Sequence, residues 1–204
     1  SLRRVLRSGR YRVTLDAAFP EVMAGCAEPR GDDAGTWITR EMTEAYVRLA
    51  RLGFAHSVEV WSGGALAGGL YGVAIGRMFY GESMFSRRTD ASKVALATLV
   101  PQLERWGFEM VDCQMATAHL ASLGAREIPR HEFLERVSRL AGAPPGPPPW
   151  KPAARPPACP GPWLASATAA QAAAKLVFRI NPRRLVCMPR EWRIVNQTAT
   201  RFFR

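Results

Sequence analysis

The sequence predicts a mixed α/β domain with a partly antiparallel sheet and flanking helices. Three observations support this fold class: two apolar strands joined by a Gly63-Gly64 turn, an amphipathic helix after a third strand, and a further strand after that helix. A doubly wound parallel fold would instead need a helix between successive strands. The 204 residues, 48% of them hydrophobic, are sufficient for one domain with a proper core.

The first part of the chain is predicted to contain a short strand and a helix. Residues 11–15 alternate weakly between polar and apolar side chains, as a strand does. Asp16 can then cap a helix that runs through Ala27, with Pro20 near its first turn. Residues 31–35 are predicted to form a loop.

The middle of the chain predicts a helix followed by the hairpin. Apolar residues recur at helical spacing after Thr39, and Gly53 ends this helix. Residues 56–61 and 65–75 are predicted to be the two strands of the hairpin.

The remaining elements begin with a third strand, which starts at residues 78–80. The helix after it is predicted to begin at Asp90 or Ser92 and to end at Gly107. A strand over residues 108–113 and helices over 116–123 and 130–140 complete the prediction.

Polar residues interrupt two of these apolar strands. Glu82 lies within the glycine-flanked run at 81–86, and Asp112 and Gln114 close the strand that follows the long helix. Carboxylates and amides are costly to bury unless each is hydrogen-bonded, so we expect these three residues to lie at strand ends and to form a polar cluster built for chemistry. The plain alternatives are a backbone-satisfied amide for Gln114, and for Glu82 an ion pair with Lys93 or an arginine.

The net charge of +11 is distributed unevenly. Residues 141–204 hold 10 Lys and Arg against one acid, which gives +9, and residues 1–30 hold six against three, which gives +3. Residues 31–140 hold 12 against 13 acids and are nearly neutral at −1. Cationic ends attract phosphate backbones, although basic tails also occur in chains that bind no nucleic acid.

The composition changes abruptly at residue 141. Residues 143–162 are dense in proline, and an alanine-rich stretch and an arginine-rich end follow. This composition is typical of a poorly ordered appendage. We therefore predict a domain over residues 1–140 and a tail over 141–204, and we expect deletion of this tail to leave activity unchanged.

Cysteine and histidine spacings predict no metal site and no disulfide framework. The four cysteines, Cys26, Cys113, Cys159 and Cys187, form no C-x-x-C pair and are expected to be free thiols in a reducing compartment. No pair among His56, His119 and His131 has metal-ligand spacing. No apolar run approaches twenty residues, so the sequence predicts a cytoplasmic protein without membrane association.

Eight short runs resemble a known family when they are taken together. They are SLRR at 1–4, GTWI at 35–38, AHSVEVW at 55–61, GGLYGV at 68–73, GESMFS at 81–86, DASK at 90–93, DCQ at 112–114 and ASLGA at 121–125. In this order and spacing they resemble the leucyl/phenylalanyl-tRNA–protein transferases. Each run is weak alone, but eight in register over roughly residues 1–140 are very specific.

The resemblance implies a GNAT-like acyltransferase domain preceded by a smaller N-terminal domain. That smaller domain has no counterpart here, since residue 1 corresponds to the linker before the catalytic domain. Residues 141–204 also depart from the family. The chain is therefore expected to be an N-terminally truncated member with an atypical tail.

The reaction implied by the resemblance is aminolysis of an ester. The α-amine of an acceptor protein with N-terminal Arg or Lys attacks the carbonyl of Leu-, Phe- or Met-tRNA and so marks the acceptor for degradation. The site must supply a deprotonated amine, alignment and oxyanion stabilisation, without a cofactor or covalent intermediate. We expect a monomer.

The resemblance implies catalytic roles for Gln114, Asp112 and Glu82. Gln114 would contact the attacking amine, as a proton relay or only as a positioning group, and Asp112 would orient it. Glu82 would either hold this amine or recognise the basic side chain of the acceptor.

Binding roles are implied for two further groups of residues. The aminoacyl side chain would lie in an apolar pocket formed by Leu70, Phe79, Met84, Leu96 and Val111, although these residues alone would be read as plain core. Trp37 and Tyr46 would stack on the terminal adenosine, whereas the apolar helix face of Tyr46 favours a core role. Arg3, Arg4 and Arg7 would contact acceptor-stem phosphates, or form only a solvated arm.

Two other functions compete with this one. The first is a catalytically impaired fragment that binds RNA or protein because the N-terminal domain is missing. The second, a coenzyme A acetyltransferase, is disfavoured because no Gln/Arg-x-x-Gly-x-Gly/Ala loop for a pyrophosphate is present.

Overall fold

The chain is described here by a computed structural model that covers residues 2–29, 36–144 and 150. These residues form one five-stranded sheet with helices on both faces. In chain order the strands are β1 (Arg12–Leu15), β2 (Ala55–Ser62), β3 (Ala65–Ile75), β4 (Met78–Ser86) and β5 (Met110–Asp112). The helices are α1 (Leu2–Arg7), α2 (Phe19–Ala27), α3 (Arg40–Arg51), α4 (Ala91–Arg105), α5 (Ala118–Ser122) and α6 (Arg130–Ala141).

The sheet is mixed and mostly antiparallel. Its strands follow the order β1-β2-β3-β4-β5, and each neighbouring pair is antiparallel except β4 and β5, which are parallel. Gly63 and Gly64 turn β2 into β3 with φ angles of 59° and 83°, which glycine adopts without steric cost. The predicted fold class, a partly antiparallel mixed sheet with flanking helices, is confirmed.

Adjacent strand residues point to opposite faces of the sheet, and each face buries a separate core. Leu70 of β3 packs on the face covered by α4 and α1, whereas its neighbour Tyr71 packs on the face covered by α2 and α3. The α4 face also buries Val58, Val60, Phe79, Leu99 and Leu6. The α2 face also buries Phe19, Val22, Met23 and Phe85.

Helix caps match the prediction at α3 but not at α2. The Thr39 side chain accepts a hydrogen bond from the Met42 backbone N–H, so the predicted start of α3 is confirmed. The prediction of Asp16 as the cap of α2 is wrong, because Ala18 occupies that position and makes no side-chain cap. The Asp16 carboxylate instead accepts the Ser57 backbone N–H at 2.8 Å and so joins β1 to β2.

Several element boundaries also differ from the sequence prediction. β4 is continuous over 78–86, so Glu82 lies inside this strand. The expectation that Glu82 lies at a strand end is wrong. β5 and α5 are shorter than predicted, and the structure adds α1, which the sequence presented only as a basic arm. The predicted loop at 31–35 lies outside the described residues, as does most of the predicted tail.

Strands β4 and β5 are paired over only part of their length. Their register ends at the pair Tyr80↔Asp112, whereas β4 continues to Ser86. Gly81 suits this point, since a Cβ there would lie 3.3 Å from the Asp112 carbonyl oxygen. The two strands therefore diverge at a place where side chains from both can converge. Within the described part of the chain, no helix is both long and apolar enough to span a bilayer.

Candidate active site at the divergence of β4 and β5

Glu82 occupies a bulge in β4. Tyr71 of β3 faces Ser83 and the next residue of β3, Gly72, faces Gly81, so Glu82 has no partner across the ladder. A bulge leaves one extra residue unpaired and redirects its side chain. The Glu82 side chain is consequently directed at its neighbours in the gap next to β5.

The Glu82 carboxylate accepts hydrogen bonds from two side chains of other elements. The amide nitrogen Nε2 of Gln114 donates to Oε2 of Glu82 at 3.1 Å. The hydroxyl of Tyr46, on α3, is also hydrogen-bonded to Glu82. The sequence-based alternative of an ion pair with Lys93 does not occur, because Lys93 Nζ contacts Asp90 at 2.8 Å.

Asp112 fixes the backbone of Gln114. Oδ1 of Asp112 accepts the backbone N–H of Gln114 at 2.8 Å. Gln114 has a φ of 60°, which is rare for a residue other than glycine. The hydrogen bond stabilises this left-handed turn directly after β5. Tyr46, Glu82, Asp112 and Gln114 thus form one connected group, here named the β4–β5 cluster.

Burial raises the pKa values of both carboxyl groups in the β4–β5 cluster. Asp112 is 7% exposed, and burial, with a smaller contribution from the Glu82 charge, raises its pKa to about 7, against the lowering effect of the Gln114 backbone N–H. Burial also raises the pKa of Glu82, while hydrogen bonds from Gln114 and Tyr46 oppose this rise. A carboxyl with a pKa near 7 can accept or release a proton at neutral pH.

The neighbouring hydroxyl and thiol groups stay protonated. Burial and the charges of Asp112 and Glu82 raise the pKa of Tyr80 to about 12. Burial also raises the pKa values of the Tyr46 hydroxyl and the Cys113 thiol. The Tyr46 hydroxyl therefore acts as a hydrogen-bond donor, and Cys113 is a poor nucleophile.

The five residues predicted to form an apolar pocket share one core cluster. Leu70, Phe79, Leu96 and Val111 are buried, and the half-buried Met84 packs against them. The strand register places Leu70 opposite Met84, and Phe79 opposite Val111. These residues thus belong to the core on the α4 side of the sheet.

An open cleft runs along the part of β4 that has passed the end of β5. Its volume is about 430 Å³. It is lined by Gly25, Glu28, Pro29, Met84, Phe85, Ser86, Arg87, Ser92 and His119. Met84 is the member of the apolar group that also lines this cleft.

Of the two residues predicted to stack on the terminal adenosine, Tyr46 belongs to the β4–β5 cluster and Trp37 does not. Trp37 is 50% exposed in the segment before α3, as a stacking residue would be. Tyr46 is half-buried, and its ring meets that of Tyr71 edge-on at 5.2 Å. The structure therefore places Tyr46 within the core and next to Glu82, in accord with the apolar helix face seen in the sequence.

The three predicted phosphate-binding arginines lie on α1. Arg3, Arg4 and Arg7 are exposed, while Leu6 of the same helix is buried in the core. The arginines are thus held on an ordered helix.

The described residues contain no group of three or more His, Cys, Asp or Glu side chains that could bind a metal. Cys26 and Cys113 are free thiols, as predicted, and the other two cysteines lie outside the described residues.

Sequence reasoning missed a second polar group between β1 and β2. Glu59 is 0% exposed, and its carboxylate accepts the hydroxyls of Thr14 and Ser57, both at 2.5 Å. It also accepts the backbone N–H groups of Ala17 and Ala18 at 3.3 and 3.4 Å. The alternation of polar Ser57 and Glu59 with buried apolar neighbours in the AHSVEVW run was the available signal.

His56 and Asp16 extend this second group. Nδ1 of His56 lies 2.8 Å from Oδ2 of Asp16, and His56 is 5% exposed. Thr14, Asp16, His56, Ser57 and Glu59 are here named the β1–β2 cluster. Its polar atoms are bonded to one another across the ladder, which is typical of a structural network.

Together the fold and the β4–β5 cluster define an α/β domain with a carboxyl–amide site at a split in its sheet. Residues 1–138 match the family described as leucyl/phenylalanyl-tRNA protein transferase. The chain belongs to this family.

Individual relatives carry the same description. The leucyl/phenylalanyl-tRNA–protein transferase of Nitrosospira multiformis is 62% identical over 140 residues, which are 69% of this chain and 60% of the relative. That of Nitrosomonas europaea is 60% identical over 144 residues, which are 71% of this chain and 61% of the relative. The chain thus spans about three fifths of the length of these relatives.

Solved structures of acetyltransferases are more distant. A GNAT-family acetyltransferase from Staphylococcus aureus superposes with a TM-score of 0.45 at 11% identity, covering 59% of this chain and 88% of the other. A ribosomal-protein-alanine N-acetyltransferase from Brucella melitensis superposes with a TM-score of 0.40 at 11% identity, covering 65% and 92%.

Proposed function

We propose that this chain transfers Leu, Phe or Met from aminoacyl-tRNA to the N-terminal Arg or Lys of acceptor proteins. The membership of the family supports the general activity, and the proposal extends it to these substrates. The modified acceptors would be marked for degradation. The proposed enzyme acts in the cytoplasm as a monomer and uses no cofactor.

One observation carries the catalytic proposal: the amide nitrogen of Gln114 donates to Glu82 at 3.1 Å. Because this contact uses the nitrogen end of the amide, the oxygen Oε1 remains to accept an N–H of the attacking amine. Glu82, held by Tyr46 and Gln114, thus orients the amide. This arrangement favours a positioning role for Glu82 over recognition of the acceptor side chain.

The proton balance of the reaction gives Asp112 a role. The amine nitrogen forms a bond to the ester carbonyl carbon, and the bond from this carbon to the ribose oxygen breaks. The amine loses a proton and the ribose oxygen gains one. An α-amine has an ordinary pKa of about 7.7–8.0, so a carboxyl with a pKa of about 7 is matched to exchanging protons with it.

Substrate binding is proposed to use the surfaces around this site. The apolar group of Leu70, Phe79, Met84, Leu96 and Val111 would take the aminoacyl side chain, and flexible Met84 suits both branched and aromatic shapes. Trp37, with half of its surface exposed, would stack on the terminal adenosine. The exposed arginines of α1 would contact phosphates without reading sequence.

A transfer assay tests the proposal. Leucyl-tRNA with labelled leucine is incubated with the full chain and a model protein that begins with Arg, and a matched protein that begins with Gly is the control. The expected result is label on the Arg protein alone. Transfer to neither protein would overturn the proposal, and if tRNA still bound, the chain would be a binding fragment, as its three-fifths coverage of its relatives allows.

A further inference from the structure

Trp150 belongs to the segment predicted to be a tail, yet it is half-buried and packs against the core on the α4 side of the sheet. Its ring stacks on His56 with a centroid distance of 3.9 Å and an interplanar angle of 11°. It also lies 4.9 Å from the Trp106 ring, 5.6 Å from Phe79 and 6.0 Å from Phe108. A single indole thus contacts β2, β4 and two of the four residues that connect α4 to β5.

One wall of this aromatic contact is held in place by hydrogen bonds. His56, on which the indole stacks, is bonded through Nδ1 to Asp16 at 2.8 Å. The other carboxylate oxygen of Asp16 accepts the Ser57 backbone N–H at 2.8 Å. The imidazole is therefore fixed on the sheet, and Trp150 stacks on it.

The Phe79 side of this contact is part of the proposed aminoacyl pocket. Phe79 is 1% exposed, pairs with Val111 across β4 and β5, and belongs to the core cluster that contains Leu70 and Leu96. Trp150 contacts the Phe79 ring with an interplanar angle of 26°, which is an offset-stacked arrangement. Removal of the indole would leave a cavity behind Phe79 into which its ring could relax.

We propose that Trp150 is a positioning residue that fixes Phe79 and so limits the size of the aminoacyl side chain that the pocket accepts. The inference rests on the proposed function of the pocket. It concerns a residue beyond position 138, where the family match ends. Part of the segment predicted to be dispensable would thus influence substrate choice.

The measurable consequence is a change in selectivity. An apolar pocket can favour one side chain over another of different size by about 10–200-fold in kcat/KM. With the indole removed, Phe79 can withdraw and the pocket deepens. The ratio of kcat/KM for phenylalanyl-tRNA to that for leucyl-tRNA is then expected to rise about tenfold.

The test compares full-length variants in transfer to a peptide with N-terminal Arg. Trp150→Ala is expected to raise the Phe-to-Leu ratio, and Trp150→Phe is expected to restore much of the original ratio because it retains an aromatic ring. Leu134→Ala, which truncates an exposed apolar residue of α6, is the matched control and leaves the ratio unchanged. If Trp150→Ala does not fold, Trp150→Leu replaces it and the same rise is expected.

Two results would overturn this inference and leave the proposed function intact. They are an unchanged ratio in the Trp150 variant, and an equal fall of both kcat/KM values, which would indicate general structural support. If the wild-type chain transfers neither amino acid, the proposed function fails first, and the inference fails with it. The wild-type measurement therefore separates the two failures.

Discussion

The β4–β5 cluster and the β1–β2 cluster both contain a carboxylate inside the sheet, yet they differ in how completely it is hydrogen-bonded. Glu59 is fully buried and accepts four hydrogen bonds, two of them from backbone N–H groups. Glu82 is half-buried at a strand divergence and is bonded to the side chains of Gln114 and Tyr46. The difference shows that a buried acid alone does not identify a site: the number and the kind of its hydrogen-bond partners must also be considered.

The two clusters also differ in what surrounds them. The β1–β2 cluster lies between paired strands, where Glu59 directly faces Thr14, one of its donors, across the ladder. The β4–β5 cluster lies where the ladder ends, and the side chain of Gln114, directly after β5, reaches Glu82 on β4. Function is therefore expected at the divergence, and stability at the paired strands.

The largest expected effect comes from replacing each of the two carboxylates, Glu59 and Glu82, by alanine in separate variants. Glu59→Ala leaves four donors without their acceptor and is expected to lower the free energy of unfolding by about 3–5 kcal/mol. Glu82→Ala is expected to cost stability much less and to lower the transfer rate instead. Urea denaturation with parallel transfer assays measures both. Equal destabilisation by the two substitutions would contradict the comparison.

A smaller effect follows from the raised pKa of Asp112. Because the folded-state pKa of about 7 exceeds the ordinary 3.8, the folded chain retains a proton that the unfolded chain releases between about pH 4 and pH 7. This carboxyl therefore makes the fold less stable as pH rises through that window. Asp112→Asn removes the effect, so its stability relative to wild type is expected to rise by about 3 kcal/mol from pH 4 to pH 8.

Thermal or urea unfolding of both proteins at several pH values measures this difference. The Asn oxygen can still accept the Gln114 backbone N–H, so the turn after β5 is retained in the variant. Parallel stability curves of the two proteins across this range would show that Asp112 does not hold its proton in the fold.

The smallest expected effects come from removing single hydroxyl donors. Ser57→Ala deletes a donor to Glu59 and is expected to cost about 1–3 kcal/mol of stability with little effect on the transfer rate per folded molecule. Tyr46→Phe deletes a donor to Glu82, which raises the Glu82 pKa further and is expected to slow transfer several-fold. If Ser57→Ala slows transfer more than Tyr46→Phe, the division of roles between the clusters is wrong.

Most of the fold was predictable because its signals are local. The Gly63-Gly64 turn, the Thr39 cap and the apolar periodicities depend on neighbouring residues only. Asp16 was misassigned because its carboxylate bonds across the sheet to Ser57, a partner 41 residues away. Sequence spacing carries no record of such a contact.

The candidate site was predictable in its residues but not in its geometry. Glu82, Asp112 and Gln114 were identifiable as polar residues in apolar strands, and the resemblance gave them roles. Their contact arises from a bulge in β4 and from the early end of β5, which depend on tertiary pairing. The docking of Trp150 was likewise invisible, because proline-dense sequence around it predicts no packing.

The central claim is that Gln114 contacts the reacting amine and contributes little to tRNA binding. The most direct measurement is the single-turnover transfer rate of Gln114→Ala, with the dissociation constant for aminoacyl-tRNA measured on the same protein. The rate is expected to fall about 100-fold or more while the dissociation constant changes by less than about threefold. Equal losses of rate and affinity would contradict the assignment.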